Sequence, residues 1–445
     1  MVVVRRRLIF WLIKAYIKKS KKTILFSFLA GLLIFFGIIF GGKYLTAILT
    51  FQRQPVIGVV GSYERDNLPS IIENKLSGGL TKVEENGEIT KNLSSDYTIE
   101  NKGKTYTFIL KNDQRFNDGS KFESKDLFYN FSDVKIERPE KNKIIFKLKD
   151  SYAPFLVTIS QPVFKKGYVG VGDFYIKDIK LNGNFVQNLT LGSKNKRFEK
   201  TRFIFYPTEN ALKTAFALGE ITQASGVLSI DFQNISFEKF PKTTIKKDIN
   251  YSSLVTLFYN TTDPTLSDRK VRLALNYALP SNDKLGKSAY LPYAPTSIYF
   301  NKEVAERKQD FDHAKLLLLD SKPQLTISTL KKYSNIAKIV ESEWKKVGIA
   351  TKIEEVDQVP DRYQIFLGDF NVPKDPDQYA LWHTGQNSNI TRYKNLRIDK
   401  LLEDGRKTID INERKRIYAD FQRFLIEDMP ASFFYFPYEY TITRN

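Results

Sequence analysis

The chain has 445 residues, with 69 Lys and Arg against 50 Asp and Glu, a formal net charge of +19, and no cysteine. The absence of cysteine excludes disulfides, thiolate metal sites, cysteine nucleophiles and a lipid carried on a cysteine thiol. Beyond residue 22 there is no run of five or six like charges and no zinc-finger or aromatic RNA-binding pattern. We therefore do not expect nucleic acid as a partner, in spite of the positive charge.

The N-terminal segment predicts a membrane anchor. Thirteen large apolar residues lie between Thr23 and Phe40, directly after eight Lys and Arg without acids in residues 1–22. About 18 helical residues span roughly 27 Å, close to the hydrocarbon thickness of a bilayer. We expect a basic cytoplasmic tail at 1–22, a transmembrane anchor at 23–42 in the cell membrane, and the bulk of the chain outside the cytoplasm. A cleaved signal peptide is the alternative, but no small-x-small cleavage site follows the apolar run.

The next patterned region predicts a strand, a turn, a helix and a second strand. Apolar and polar residues alternate over Thr105–Leu110, which is typical of a half-buried strand, and the turn residues 117–119 follow. Ser124 is predicted to cap a helix with Leu127, Phe128 and Phe131 on its apolar face. A second alternation at 144–148 predicts the second strand.

Three further helices are predicted towards the C-terminus. Ser267 is the expected cap of a helix with Asp268 in its first turn and an apolar face of Val271, Ala274, Leu275 and Ala278. Apolar spacing predicts a helix over residues 331–347, which ends at Gly348 before a strand. The last helix is expected to begin after Asp410 and to end before Pro430.

The segments YTFILKNDQRFNDGSKFESKDLFYNF and IIFKLKDSYAPFL contain the two predicted strands and the turn between them. They resemble the signature region of family 5 extracellular solute-binding proteins, the oligopeptide- and dipeptide-type receptors of ABC importers. The matching residues are Tyr106, Phe108, Phe116, Asp118, Gly119, Asp126, Tyr152, Ala153, Pro154 and Phe155. The later segment LFYNTTDPTLSDRKVRLALNYAL is also similar to the family, and the resemblance covers residues 56–442.

The resemblance implies an α/β fold with two lobes and mixed sheets, of the periplasmic-binding-protein type II kind. Lobe 1 is expected at 51–252, completed by 430–445, and lobe 2 at 253–429. The implied function is the binding of a short peptide between two closing lobes, with delivery to ABC permease subunits in the membrane. The resemblance implies no cofactor and no catalysis, and we expect a monomer.

In this family an acidic residue of the second lobe meets the N-terminal amine of a bound peptide. The resemblance places that role on Asp375, with Asp377 and Asp369 as rivals. A carboxylate there is physically sensible, because a buried ammonium without a partner costs several kcal/mol. Tyr379 and Trp382 are predicted to form an apolar wall of the ligand site, with core packing as the alternative. His383 is either a ligand contact or a hydrogen-bonded packing residue.

Other functions remain open from the sequence. One alternative is a surface interaction protein that has the same fold without transport, and another is a receptor for a non-peptide solute such as a nickel complex or a sugar. An extracellular hydrolase is the third alternative. The chain has two histidines and lacks H-E-x-x-H, G-x-S-x-G and a Gly-rich phosphate loop, so the sequence does not favour an enzyme.

Overall fold

The structure is a computed structural model that describes residues 2–23, 25–33, 35–36, 54–195, 200–280, 284–319 and 321–445. Its contacts divide the chain into two compact units, Met1–Gln54 and Pro55–Asn445.

The first unit is helical where it is described. Helix α1 is Val2–Lys19, and residues 21–23, 25–33 and 35–36 are also helical. Among the described residues, no helix is both long enough and apolar enough to cross a membrane. The predicted anchor at 23–42 falls partly outside the description, because residues 24, 34 and 37–42 are not described. The anchor therefore stays a prediction.

The second unit alternates strands with short helices. The described helices are α2 (Ser70–Leu76), α3 (Phe155–Thr158), α4 (Glu209–Leu218), α5 (Arg269–Tyr277), α6 (Phe311–Leu318), α7 (Ser334–Lys345), α8 (Tyr379–Trp382), α9 (Leu396–Lys407) and α10 (Ile411–Asp428). Single 3₁₀ turns lie at Ser124–Asp126, Phe237–Lys239 and Lys331–Tyr333.

The strands of this unit are numbered in chain order. They are β1 (Val56–Val60), β2 (Thr81–Val83), β3 (Ile89–Lys91), β4 (Ser94–Glu100), β5 (Thr105–Leu110), β6 (Val134–Glu140), β7 (Lys143–Leu148), β8 (Phe174–Asn182), β9 (Phe185–Ser193), β10 (Thr201–Tyr206), β11 (Gln223–Val227), β12 (Asp231–Phe232), β13 (Ile235–Ser236), β14 (Thr243–Ile249), β15 (Ser253–Tyr259), β16 (Gly286–Ser288), β17 (Gln324–Leu330), β18 (Ala350–Val356), β19 (Ile365–Asn371) and β20 (Ala431–Arg444).

The largest sheet joins strands from both ends of the unit. Its order is β18-β17-β19-β15-β20-β11-β1-β10-β9-β8, and β14 and β16 also pair with β20. Parallel pairs (β1 with β10 and β11, β17 with β18 and β19) occur beside antiparallel pairs such as β15 with β19. A separate antiparallel sheet has the order β4-β5-β7-β6. The fold is therefore α/β with mixed sheets, as predicted.

Strand β20 is shared between the two predicted lobes. Its first part pairs with β15 through Ala431–Phe258 and Tyr435–Val255, and residues 431–436 pack in the largest buried cluster. Residues 438–444 pair with β14, and Ile442 packs against Leu212 and Phe216. The strand therefore completes both packing regions, whereas the sequence assigned all of 430–445 to lobe 1. The other lobe boundaries stay predictions.

The predicted strands are confirmed, since β5 and β7 cover 105–110 and 143–148. The predicted helix from Ser124 is wrong, because only one 3₁₀ turn forms there and Phe128 is 78% exposed. The Arg138 guanidinium, from β6, donates to the carbonyl oxygens of Ser124 (2.9 Å) and Leu127 (2.6 Å). These tertiary hydrogen bonds hold the single turn against β6, and the chain beyond Leu127 does not continue as a helix.

The three C-terminal helices form close to their predicted positions. The first is capped by Asp268 rather than by Ser267, since the Asp268 carboxylate accepts from the amide of Lys270 at 2.8 Å. The second begins as a 3₁₀ turn and becomes α-helical only from Ser334. Asp410 caps the last, α10, by accepting from the amides of Asn412 and Glu413.

Candidate functional site

Asp375 lies in the loop between β19 and α8 and is paired with a buried cation. Arg414, in the first turn of α10, donates to its two carboxylate oxygens at 2.9 Å and 2.5 Å. The two side chains are only 8% and 5% exposed. Burial alone would lower the pKa of Arg414, but the Asp375 carboxylate raises it above its ordinary value. The pair therefore holds this loop onto α10 inside the protein.

Asp377 is the second acid of the same loop and contacts a different arginine. Its Oδ2 lies 2.9 Å from Nε of Arg406, outside the direction of the N–H bond, so the contact is ionic rather than a hydrogen bond. The other carboxylate oxygen accepts from the amide of Tyr379 at 3.0 Å. Burial raises the pKa of Asp377 in spite of Arg406. Asp377, just before helix α8, thus holds Arg406 of the last turn of α9 in place.

The rings of Tyr379 and His383 form a stacked group with Arg406, and Tyr152 is also close to the guanidinium. The Arg406 guanidinium lies 4.4 Å from the ring centre of Tyr379 and 5.2 Å from that of Tyr152. Tyr379 also stacks on His383, with ring centres 4.1 Å apart. His383 Nδ1 donates to the carbonyl of Thr384 (2.9 Å), and Nε2 is 3.3 Å from a carboxylate oxygen of Glu403. Such a group offers a flat, partly charged surface to a ligand.

A cavity of about 620 Å³ opens against this surface. Its walls come from the region of the four-stranded sheet and from helices α8 and α9. The residues that line it are Phe131, Asp133, Val134, Leu148, Lys149, Asp150, Ser151, Tyr152, Phe155, Thr158, Tyr379, Glu403, Arg406 and Lys407. The volume is within the range of small-molecule sites, and the mixture of aromatic and charged residues is typical of them.

Trp382 is part of the core rather than of that cavity. Its side chain is 1% exposed, its indole N–H donates to the Gln378 side chain at 2.8 Å, and its ring meets Phe433 edge to face. The structure therefore supports the core-packing alternative for Trp382.

Asp369 lies near the end of β19 and has partners of its own. Lys332 Nζ is 2.8 Å from Oδ1, and the Ser253 hydroxyl donates to Oδ2 at 3.0 Å. Burial would raise the pKa of Asp369, but the hydrogen bond and charge of Lys332 keep it below the ordinary value. The two charged side chains are 23% (Asp369) and 48% (Lys332) exposed, so this is the most accessible of the three ion pairs.

The comparison with known families decides the identity of the fold. The model of bacterial extracellular solute-binding proteins, family 5, matches residues 88–392, which is more than half of the chain. The chain belongs to this family. Family membership confirms the resemblance found in the sequence.

Curated relatives of different stated specificity match the chain. The oligopeptide-binding protein AppA of Bacillus subtilis is 24% identical over 473 residues, covering 86% of each chain. The nickel-binding periplasmic protein of Escherichia coli is 26% identical over 286 residues, covering 54% of each. Among solved structures, the substrate-binding protein CtaP of Listeria monocytogenes has a TM-score of 0.75 at 21% identity and covers 88% of this chain and 94% of its own. That last likeness establishes a family 5 fold.

The structure brings some of the predicted site residues together and separates others. Tyr379 lines the cavity, and Asp377 and His383 contact its lining residues. Asp375 and Trp382 are in the interior, and Asp369 has a separate set of partners. Since Arg414 already occupies both carboxylate oxygens of Asp375, we do not carry the ligand-amine role forward for that residue.

The cations that pair with the three acids were missed from the sequence. One signal was available for Arg414, because it shares an apolar helical stripe with Tyr418, Phe421 and Leu425. A cation on a buried face needs an acid nearby. No comparable pattern marks Lys332 or Arg406.

Proposed function

We propose that this family 5 protein is the extracytoplasmic receptor of an ABC-type importer and that its solute is a short peptide, bound between two closing lobes. The observation that carries the proposal is the match of the family model to residues 88–392. The peptide class is supported by the relative named as an oligopeptide-binding protein, which aligns over 86% of the chain.

The membrane part of the proposal rests on the N-terminal sequence. The basic residues of 1–22 and the apolar run within 23–42 favour a retained single-pass anchor that holds the receptor close to permease subunits. The receptor then acts as a monomer at the outer face of the cell membrane.

We propose Asp369 as the carboxylate that meets the ligand's N-terminal ammonium. Of the three candidate acids, it has the most exposed side chain and the most exposed internal partner. An ammonium that leaves water needs a counter-charge, and a carboxylate near the end of a sheet strand is held rigidly enough to supply one. Tyr379 and Arg406 line the cavity of about 620 Å³, which in this proposal accepts a side chain of the peptide.

The proposal is tested by calorimetry of the full chain in detergent with tripeptides and pentapeptides, both free and N-acetylated. Binding of free peptides and a rise in melting temperature with peptide concentration are expected, because a ligand that binds only the folded state stabilises it. Binding of a nickel–histidine complex without any peptide binding would contradict the peptide class and favour the function of the nickel-binding relative. Failure to bind either solute would favour a surface interaction protein.

A further inference from the structure

The ion pair between Asp369 and Lys332 bears on how the proposed amine site selects its ligand. We infer that Lys332 is an internal competitor for the carboxylate of Asp369 and sets how tightly the site binds a ligand's ammonium. The inference rests on the proposed peptide-binding function and deepens it. Lys332 lies in the 3₁₀ turn Lys331–Tyr333 that leads into helix α7.

Asp369 carries one negative charge, and a cation of the protein already neutralises it. Lys332 Nζ lies 2.8 Å from Oδ1, and the Ser253 hydroxyl donates to Oδ2 at 3.0 Å. Ser253 is neutral, so Lys332 is the group with which a ligand ammonium competes for the charge of the carboxylate. A ligand ammonium that takes the place of Lys332 gains the full ion pair, and Ser253 can remain bonded during that exchange.

Lys332 is able to leave, whereas the cations of the other two acids are more confined. Its side chain is 48% exposed, compared with 32% for Arg406 and 5% for Arg414. The Lys332 ammonium, on a flexible four-carbon chain, breaks one contact with its carboxylate when it leaves. The Arg414 guanidinium would have to break two. Exchange of one ammonium for another keeps the half-buried Asp369 paired throughout, so no unpaired charge is left in the protein.

The charges at Asp369 decide whether loss of Lys332 tightens or weakens the binding of a ligand amine. With Lys332 in place, Asp369 is neutralised, and an incoming ammonium meets both a competitor and a like charge a few ångströms away. Like charges at that separation disfavour binding measurably even near the protein surface. Removing the Lys332 charge should therefore tighten the binding of ligands with a free amine. Replacing Lys332 with arginine should weaken it, because a guanidinium holds a carboxylate through two hydrogen bonds.

The test is calorimetry on the full chain in detergent with the tripeptide Ala-Ala-Ala, free and N-acetylated. We expect Lys332→Met to lower the Kd of the free peptide roughly tenfold and Lys332→Arg to raise it, with the acetylated peptide unchanged by either. Lys331→Met is the matched control, because it removes the same charge from the same turn, and its Kd should stay close to that of the wild type. Melting temperatures of all variants show that each is folded.

A second arm asks whether Lys332 acts through Asp369. In an Asp369→Asn background, Lys332→Met should change the Kd much less than in the wild type, because the carboxylate for which the two cations compete is gone and only the repulsion between like charges remains. Weaker binding of the free peptide by Lys332→Met, or the same change in Lys331→Met, would overturn the inference while leaving peptide binding intact. Absence of peptide binding in the wild type and in every variant would contradict the proposed function as well.

Discussion

Arg414 contacts both carboxylate oxygens of Asp375 in the interior of the protein, at 2.9 Å and 2.5 Å, with both side chains less than a tenth exposed. The guanidinium also donates to the carbonyl of Gly405, near the C-terminal end of helix α9. One arginine thus connects the loop after β19, helix α9 and helix α10. The family resemblance implies a ligand role for Asp375, whereas in the structure it is paired with an arginine that holds these three elements together.

Breaking this pair should cost stability rather than ligand affinity. Asp375→Asn leaves the Arg414 guanidinium buried without a counter-charge, and removing one partner of a buried ion pair typically costs about 3–5 kcal/mol. Urea unfolding should show that loss. Asp248→Asn is the control, since its partner Lys246 is largely exposed and surface pairs contribute little. A stable Asp375→Asn variant that has lost peptide binding would return the ligand role to Asp375.

Asp369→Asn should weaken the binding of peptides with a free amine by about 2 kcal/mol, the low end for truncating one partner of a charge pair, because Asp369 is partly exposed. N-acetylated peptides should bind the variant and the wild type alike. Calorimetry with each peptide pair gives the comparison. Equal losses for free and acetylated peptides would mean that Asp369 supports the fold of the site rather than the ligand amine.

Binding of a free-amine peptide should change little with pH between about 7 and 5. Burial would raise the pKa of Asp369, but the hydrogen bond and charge of Lys332 keep it below its ordinary value, so the carboxylate stays ionised over this range. A peptide amine, with an ordinary pKa of about 7.7–8.0, is mostly protonated over the same range. Titrations at several pH values provide the measurement. A step in affinity within this range would contradict the assignment of the ligand amine to an ionised Asp369.

Two neighbouring aromatic residues should respond differently to truncation. Trp382→Ala removes a fully buried indole and should cost about 3–5 kcal/mol of unfolding free energy, the range for large aromatic deletions in cores. Tyr379→Ala opens the cavity and removes the ring over Arg406 and His383, so it should change peptide affinity or side-chain preference more than stability. Urea unfolding and calorimetry separate the two effects. The reverse pattern would contradict the assignment of the cavity wall.

The sequence predicted the elements in which local pattern decides the structure. Alternation over 105–110 and the apolar face of α5 gave correct elements, because each reflects burial of one side of a strand or helix. At Ser124 the predicted helix does not form, and the carbonyls of Ser124 and Leu127 bond to Arg138 of β6, a tertiary contact that local pattern does not show. The pairing of Asp375 with Arg414, 39 residues away, is likewise invisible to local pattern. Charge partners are set by tertiary packing, so the sequence ranked Asp375 first without showing that it is already paired inside the protein.

The proposed anchor predicts different behaviour for the whole and the truncated chain. The chain from Pro55 to Asn445 forms a compact unit and should stay monodisperse without detergent, while the full chain should sediment with membranes. Size-exclusion chromatography and membrane fractionation provide the measurements. A truncated chain that still requires detergent, or a full chain found in the soluble fraction, would contradict a single anchor at 23–42.

Native mass spectrometry of the full chain, released from lipid nanodiscs after incubation with an equimolar mixture of tripeptides and a nickel–histidine complex, identifies the bound solute by its mass. We expect adducts at tripeptide masses, which diminish in Asp369→Asn and persist in Asp248→Asn. Adducts at the mass of the nickel complex alone, or a protein without adducts at any peptide concentration, would contradict the claim that this receptor binds short peptides.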